Sequence, residues 1–237
     1  MACMTFAATT ATAAEWTKPV PAASEVVSGT NYYLYNEGYS MFMNEGEAWG
    51  TQAIVAKEGL AAKVDNISDG VYTITFLKTS KGDNKQFFRT STDKKIGDGV
   101  KGAFVDGGGK GADITQWNIT ANGDGSYVIG LPTDNSAYVS GEALGVDTEH
   151  AGSVSPTYGT YWDIPVGNDN TKWRFVSEAD YAAYFVALDT YDLALLLAEE
   201  IEKAKEEGLD VTKAEAVYAN TESTKEQVQA AIDDLYL

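Results

Sequence analysis

A repeated pattern between Ser28 and Ser177 constrains the fold of this chain more than any other feature of the sequence. Asp69-Gly70-Val71-Tyr72-Thr73-Ile74 recurs as Asp124-Gly125-Ser126-Tyr127-Val128-Ile129. In both copies a turn dipeptide leads into a strand whose tyrosine and isoleucine point to one face, because side chains alternate along a strand. A looser copy runs from Gly29 to Tyr35. The pattern predicts a β domain built from three units.

Each unit also holds three more short apolar runs, which brings it to four predicted strands. The runs are Met41–Met43, Ala53–Val55 and Val64–Ile67, then Phe87–Phe88, Ala103–Val105 and Trp117–Ile119, then Ala137–Val139, Leu144–Val146 and Trp173–Phe175. Three units of four strands predict a β-trefoil, a closed all-β fold that leaves no long sheet edge exposed.

The composition changes near Ser177, where glycine almost disappears and helical spacing begins. Residues 178–237 hold 4 lysines, no arginine and 15 acidic residues, so they carry −11 of the formal net charge of −18. We therefore predict three segments: an N-terminal segment 1–14, the β-trefoil 15–177 and a helical module 178–237.

The acidic charge excludes two classes of partner. A pI near 4.3 offers no basic stripe for phosphate backbones or anionic lipid, so neither nucleic acid nor a membrane surface is expected to bind. No run approaches the roughly 18 consecutive apolar residues of a membrane-spanning helix, so no transmembrane segment is predicted.

Residues 1–14 are small and apolar and end in Ala11-Thr12-Ala13-Ala14, which is typical of an export signal cleaved near Glu15. The segment lacks a positive n-region, so the alternatives are a start upstream of Met1 or a disordered tail. If residues precede Met1, Ala2-Cys3 would end a lipoprotein box and Cys3 would carry a lipid. The prediction is a secreted or cell-surface protein.

The region Tyr32–Val55 resembles the opening unit of lectin-like β-trefoil modules in secreted proteins of gut Bacteroidetes, and Trp49-Gly50-Thr51-Gln52-Ala53 is the most specific part of the match. The resemblance covers Trp16–Ser177 and implies the fold and an extracellular setting. More distantly the chain resembles ricin-type lectins, whose closing strand carries Gln-x-Trp. Here Thr115-Gln116-Trp117 and Thr171-Lys172-Trp173 replace that glutamine by threonine, which argues against a ricin-type sugar site.

The segment after Glu178 predicts three short helices. Gly208 is predicted to end the first, and Thr212-x-x-Glu215 and Ser223-x-x-Glu226 have the spacing of capping boxes. The apolar stripes comprise Leu193, Leu196, Leu197, Ile201 and Ala204, then Val228, Ala231, Ile232 and Leu235. The stretch from Tyr218 resembles the closing half of FIVAR-type helical modules. The pattern continues to Leu237, which leaves open whether the chain is a fragment of a longer protein.

The residues do not form a pattern for catalysis, a metal or a cofactor. His150 is the only histidine and has no second histidine or usable cysteine for zinc, and no strand-Gly-x-Ser-x-Gly-helix elbow is present. Paired acids arise by default in so acidic a chain, and Gly107–Gly111 lacks the ending of a phosphate loop. We predict a non-enzymatic protein without cofactor.

Aromatic residues divide into two predicted groups. Tyr33, Tyr72, Tyr127, Trp117 and Trp173 sit at repeated positions and are predicted to be core. Four aromatic residues break the repeat and are the candidates for stacking on a sugar face: Trp49, Tyr158, Tyr161 and Trp162. Polar neighbours would fix the orientation of the sugar. The predicted ligand-binding residues are Trp49, Tyr158, Tyr161, Trp162, Asp163 and Asn168.

The predicted function is an exported binding module, with a glycan as the candidate ligand. The alternative is a structural or protein-interaction module of a larger surface protein, with a protein partner bound through the helices. A binder of glycans keeps aromatic rings facing solvent, whereas a spacer buries them, and this difference separates the two readings.

Overall fold

The computed structural model describes residues 15–237 except 47–49, 92–94, 97–99, 108–112 and 148–157. Side chains of 83–85, 91, 95–96, 100–101, 147 and 158–159 are also outside the description. Contacts divide the described chain into a β unit, 21–182, and a helical unit formed by 15–20 and 183–237. The sequence predicts the β-trefoil over 15–177 and the helical module over 178–237, and these bounds stay predictions.

Fifteen strands and three helices are described, together with a 3-10 turn at Asp169–Thr171. The strands are β1 Thr30–Asn36, β2 Met41–Glu45, β3 Ala53–Ala56, β4 Ala62–Ser68, β5 Val71–Thr79, β6 Gly82–Ser91, β7 Lys95–Ile96, β8 Val100–Lys101, β9 Phe104–Gly107, β10 Asp113–Ile114, β11 Gln116–Ala121, β12 Tyr127–Gly130, β13 Glu142–Asp147, β14 Tyr158–Pro165 and β15 Trp173–Val176. The helices are α1 Glu178–Glu206, α2 Thr212–Tyr218 and α3 Lys225–Asp234. The protein is therefore mainly β with a helical C-terminal part.

Six strands close into a barrel. Antiparallel pairing runs from β1 to β4, β5, β11, β12 and β15, and β15 pairs back with β1. A closed ring leaves none of these strands as a free edge. Three further pairs, β2 with β3, β6 with β9 and β13 with β14, lie outside the ring.

The turn glycines of the repeat behave as the sequence predicted. Gly29, Gly70 and Gly125 have φ values of +83°, +69° and +87° and stand just before β1, β5 and β12. Only glycine adopts this left-handed conformation without steric strain, so the turn dipeptide fixes where each of these three strands begins.

The repeated aromatic positions meet across the barrel strands. Tyr72 lies opposite Trp117, and Tyr127 lies opposite Trp173. Both tryptophans are fully buried, which confirms their core assignment, and their Nε1 groups donate to backbone carbonyls at 2.9 and 2.8 Å. In the first unit the matching tyrosine is Tyr32, which lies opposite Ala62, so the prediction of Tyr33 was wrong by one residue.

The displaced tyrosine has another role. Tyr33 is half-buried and stacks on Tyr181 of the first helical turn, with ring centroids 3.6 Å apart. The Tyr181 ring also lies edge-on to Phe42 at 4.8 Å, and the Tyr181 Oη accepts a hydrogen bond from the Gly59 N–H. Burial raises the pKa of both Tyr33 and Tyr181. The β unit therefore includes residues up to 182.

Three strand segments outside the ring meet at one buried junction. The Ala53 N–H donates to the Ala103 carbonyl at 2.8 Å, and the Ala103 N–H donates to the Thr160 carbonyl at 3.2 Å. The Thr160 hydroxyl donates to the Ala53 carbonyl at 2.9 Å, and all three residues are fully buried. This cyclic set of hydrogen bonds joins the three outer strand pairs, because residue 53 is in β3, residue 160 is in β14 and residue 103 directly precedes β9.

The helical unit has its own small core of α1, α2 and α3 residues: Ala194, Leu197, Ile201, Ala204, Ala214, Val228, Ala231 and Leu235. Trp16 packs against it and donates its Nε1–H to the Tyr218 carbonyl at 2.8 Å, which explains why 15–20 belong to this unit. α1 ends at Glu206, just before the left-handed Gly208, as predicted.

The predicted capping boxes were wrong in detail. The box at α3 uses Thr224 and Gln227, one residue later than predicted, because the Ser223 hydroxyl instead donates to the Val217 carbonyl at 3.0 Å. At α2 the N-cap is Val211 without a side-chain bond. There the Thr212 hydroxyl is bonded to Asp210, 2.7 Å away.

Within the part of the chain that the structure describes, α1 is the one helix long and apolar enough to cross a membrane, with a mean hydropathy of 1.3 over its most apolar window. Counting consecutive apolar residues in the sequence did not reveal it, because Asp189 and Asp192 interrupt the run. This finding concerns length and composition alone, and a helix packed in a bundle meets the same measure.

Candidate functional site

Two of the predicted ligand-binding rings are buried. Tyr161 is 0% exposed and Trp162 is 1% exposed, and Trp162 belongs to the main core of the β unit. The sequence placed both in a long loop, but they lie in β14, which pairs with β13 on one side and β3 on the other. Because both rings are buried, neither offers a face on which a sugar can stack in this structure.

The other predicted site residues are placed differently. Trp49 lies outside the described residues, and of Tyr158 only the backbone is described, opposite Val55. Asp163 is half-buried and Asn168 is exposed. The Asn168 carbonyl accepts hydrogen bonds from the Thr171 N–H and hydroxyl at 3.0 and 2.8 Å, and its side chain makes no capping hydrogen bond to the 3-10 turn. Asn168 is therefore the predicted residue best placed to reach a ligand.

An aromatic residue that the sequence assigned to a strand is exposed instead. Tyr138 is 36% exposed and lies in a turn, not in the strand predicted at Ala137–Val139. Asn135 builds this turn, because its side-chain oxygen accepts the Ala137 N–H at 2.9 Å and its carbonyl accepts the Tyr138 N–H at 3.0 Å. The run Pro132-Thr133-Asp134-Asn135-Ser136 was the available signal, since these residue types favour turns.

Tyr138 forms part of a small exposed surface, here called the third-unit surface, made of Tyr138, Val139, Val166 and Asn168. Val139 and Val166 are 46% and 47% exposed. The Val166 N–H donates to the Gly141 carbonyl at 2.8 Å, which holds the turn beside the end of β14. An exposed ring with apolar neighbours and an amide is an arrangement that can stack on a sugar ring and bond its hydroxyls.

Charged side chains lie next to this surface. Asp169 follows Asn168 and pairs with Lys172 at 2.8 Å, and this bond raises the pKa of the lysine. The charge of Lys172 also reaches Asp124, whose pKa is lowered chiefly by hydrogen bonds from Ser126. The border of the third-unit surface therefore carries both signs of charge at neutral pH.

A second polar cluster is buried in the β unit. Arg89 is 5% exposed, forms ion pairs with Asp106 at 2.6 Å and with Asp113 at 3.2 Å, and lies 4.7 Å from the ring centre of Phe104. The backbone of Gln52 bridges to Phe104 on the other side. Gln52 is fully buried, and neither atom of its amide has a hydrogen-bond partner among the described residues. The ion pairs of Arg89 join β6 to β9 and β10.

Among the described residues, no three His, Cys, Asp or Glu side chains are grouped so that they would hold a metal ion. His150 lies outside the described residues.

Comparisons with known proteins give structural likeness only. No protein-family model matches the chain, and no curated protein matches it in sequence. Among solved structures, it is similar to the Macrolepiota procera ricin B-like lectin in complex with lactose, at 10% identity, covering 65% of this chain and 99% of that one, with a TM-score of 0.43. It is also similar to the botulinum neurotoxin serotype D binding domain, at 14% identity, covering 69% of this chain and 46% of that one, with a TM-score of 0.48. It is similar as well to the SDF2-like protein from Arabidopsis thaliana, at 11% identity, covering 65% of this chain and 95% of that one, with a TM-score of 0.46. At these identities and TM-scores the neighbours indicate no ligand or activity for this chain. The resemblances to Bacteroidetes lectin-like modules and to FIVAR-type modules stay predictions.

Proposed function

We propose that the β unit is a β-trefoil of three four-stranded units. Two neighbouring strands of the barrel come from each third of the chain segment, and an outer strand pair lies between them in sequence. The positive-φ glycines before β1, β5 and β12 and the junction of 53, 103 and 160 support this threefold division. Equivalent positions in three repeats are expected to meet around one axis in such a fold.

The proposed function of this unit is non-enzymatic binding of a glycan at the third-unit surface, in a protein that is exported or carried on the cell surface. The observation that carries the proposal is the exposed ring of Tyr138 in a turn that the Val166–Gly141 hydrogen bond ties to the chain just before the exposed Asn168. Sugar recognition combines an aromatic platform with a few oriented polar groups, and a rigid barrel holds both in place. Phe87 is the other aromatic of the β unit, among described residues, with more than a third of its surface exposed.

The test is a glycan-array screen of the full chain, followed by titration of each hit with the wild type, Tyr138→Ala and Phe87→Ala. We expect Tyr138→Ala to weaken binding about tenfold or more, since loss of a stacking ring typically removes over 1 kcal/mol. Phe87→Ala is the matched control, because Phe87 is 37% exposed against 36% for Tyr138. Equal loss in both variants, or none in Tyr138→Ala, would place the site elsewhere.

The second candidate is a structural or protein-interaction module. Burial of Tyr161 and Trp162 favours it, because a spacer covers its large rings. An array without hits, together with a Tyr138→Ala protein as stable as the wild type, would support this alternative. Export is tested separately by sequencing the N-terminus of the mature protein, where a start near Glu15 is expected.

A further inference from the structure

Among the described residues, the one helix that is long and apolar enough to cross a membrane is largely exposed. Only 22% of the most apolar window of α1 is buried, although that window has a mean hydropathy of 1.3. Val186 is 61% exposed, and Leu195 and Leu196 are 42% and 41% exposed. A helix that is apolar on several faces normally buries them, so an uncovered face of this kind indicates a surface that binds something.

Part of this exposed apolar surface lines a groove between α1 and α3, here called the α1–α3 groove, with a volume of about 360 Å³. Leu193 and Leu196 supply its apolar surface, Asp189 and Asp192 stand beside them on α1, and Lys225 and Gln229 form the α3 side. Lys225 Nζ pairs with Asp189 Oδ2 at 2.9 Å, which ties the two helices together along the groove. The groove has room for a few apolar side chains from outside.

Charge restricts what can occupy the groove. Asp192 is exposed and has no ion-pair partner among the described residues, and Glu199 is exposed two turns further along α1. Residues 183–237 hold 13 acidic residues against 4 lysines. A second copy of this chain would bring the same carboxylates and be repelled, and burying these carboxylates in lipid is costly.

We propose that the α1–α3 groove docks an amphipathic helix of a partner protein, with apolar anchors on one face and lysines or arginines at its flanks. Apolar side chains of the partner enter between Leu196 and Gln229, and a basic residue pairs with Asp192. This follows the helix-in-groove mode of recognition, in which apolar anchors give affinity and charges at the rim give selectivity. The surface is separate from the third-unit surface and does not depend on glycan binding.

The probe is a synthetic 18-residue peptide with leucines at helical spacing on one face and lysines elsewhere, labelled for fluorescence anisotropy. A scrambled peptide of the same composition and charge, without the apolar face, measures attraction by charge alone. We expect the full chain to bind the patterned peptide at least tenfold more tightly than the scrambled one. Equal binding, or no binding, would overturn the proposal.

Matched variants locate the site. Leu196→Gln is expected to weaken binding of the patterned peptide about tenfold, whereas Leu209→Gln, at a leucine 39% exposed after the end of α1, leaves it unchanged. Asp192→Asn is expected to weaken it by about threefold, and Glu222→Gln less, because a rim charge makes a smaller contribution. Equal effects at Leu196 and Leu209, or binding of the wild type to phosphatidylcholine vesicles with no preference for the patterned peptide, would refute a groove for a basic helix.

Discussion

Replacing Trp162 with alanine tests whether this ring belongs to the core. The side chain is 1% exposed and lies in the same cluster as Trp117 and Trp173. A buried tryptophan removes about 150–250 Å² from water, which is about 4–6 kcal/mol at about 25 cal/mol per Å². Measured large-to-small changes of this kind cost about 3–5 kcal/mol, which combines the lost transfer free energy with the cost of the cavity left behind.

We therefore expect Trp162→Ala and Trp117→Ala to lower the free energy of unfolding equally, by about 3–5 kcal/mol each. Urea titration followed by far-UV circular dichroism gives the midpoints, and the m-value reports whether the same surface unfolds. Tyr138→Ala is the control and should cost less than about 0.5 kcal/mol, as exposed positions usually do. A loss below about 1 kcal/mol in Trp162→Ala, with Trp117→Ala at the expected value, would show that the Trp162 ring is not packed in the core.

Three further predictions concern the β unit. A fragment of residues 21–182 should fold alone and be about 1–3 kcal/mol more stable in urea than 21–177, which lacks the ring stacked on Tyr33; equal midpoints would contradict this. Gln52→Met should raise the free energy of unfolding by about 1–3 kcal/mol, because it removes a buried amide without partners, and a clear destabilisation would mean that the amide binds an ordered group. Hydrogen bonds lower the pKa of Asp124 in the folded state. The ionised Asp124 therefore adds to the free energy of unfolding above its pKa in the unfolded chain, about 3.9, and this stabilisation is lost as the pH falls through the lower pKa of the folded state. Asp124→Asn should therefore be less stable than wild type at pH 7 and approach it in acid, and a difference that is the same at both pH values would argue against the linkage.

Local sequence signals determined several features of this protein. The turn dipeptides predicted where strands begin, and the left-handed glycines before β1, β5 and β12 have that conformation because no other residue adopts it without strain. Gly208 marked the end of α1 for the same reason. The change in composition after Ser177 coincides with the start of α1 at Glu178.

Registers and faces were less predictable. A shift of one residue moves a side chain to the other face of a strand, so Tyr32 and Tyr33 could not be told apart by a loose repeat. The cap of α3 moved by one residue for a similar reason, because the Ser223 hydroxyl found the Val217 carbonyl, and no local pattern shows that carbonyl nearby.

Only the tertiary structure decided which aromatic rings face solvent. Trp162 and Tyr138 both occur in the third unit close to glycine or proline, and the sequence assigned the first to a ligand and the second to a strand. Trp162 packs in the core of the β unit, whereas the turn built by Asn135 leaves Tyr138 exposed. Exposure depends on which distant segments pack over a residue, and that information lies in the pairing of strands far apart in the chain, not in the residues beside it.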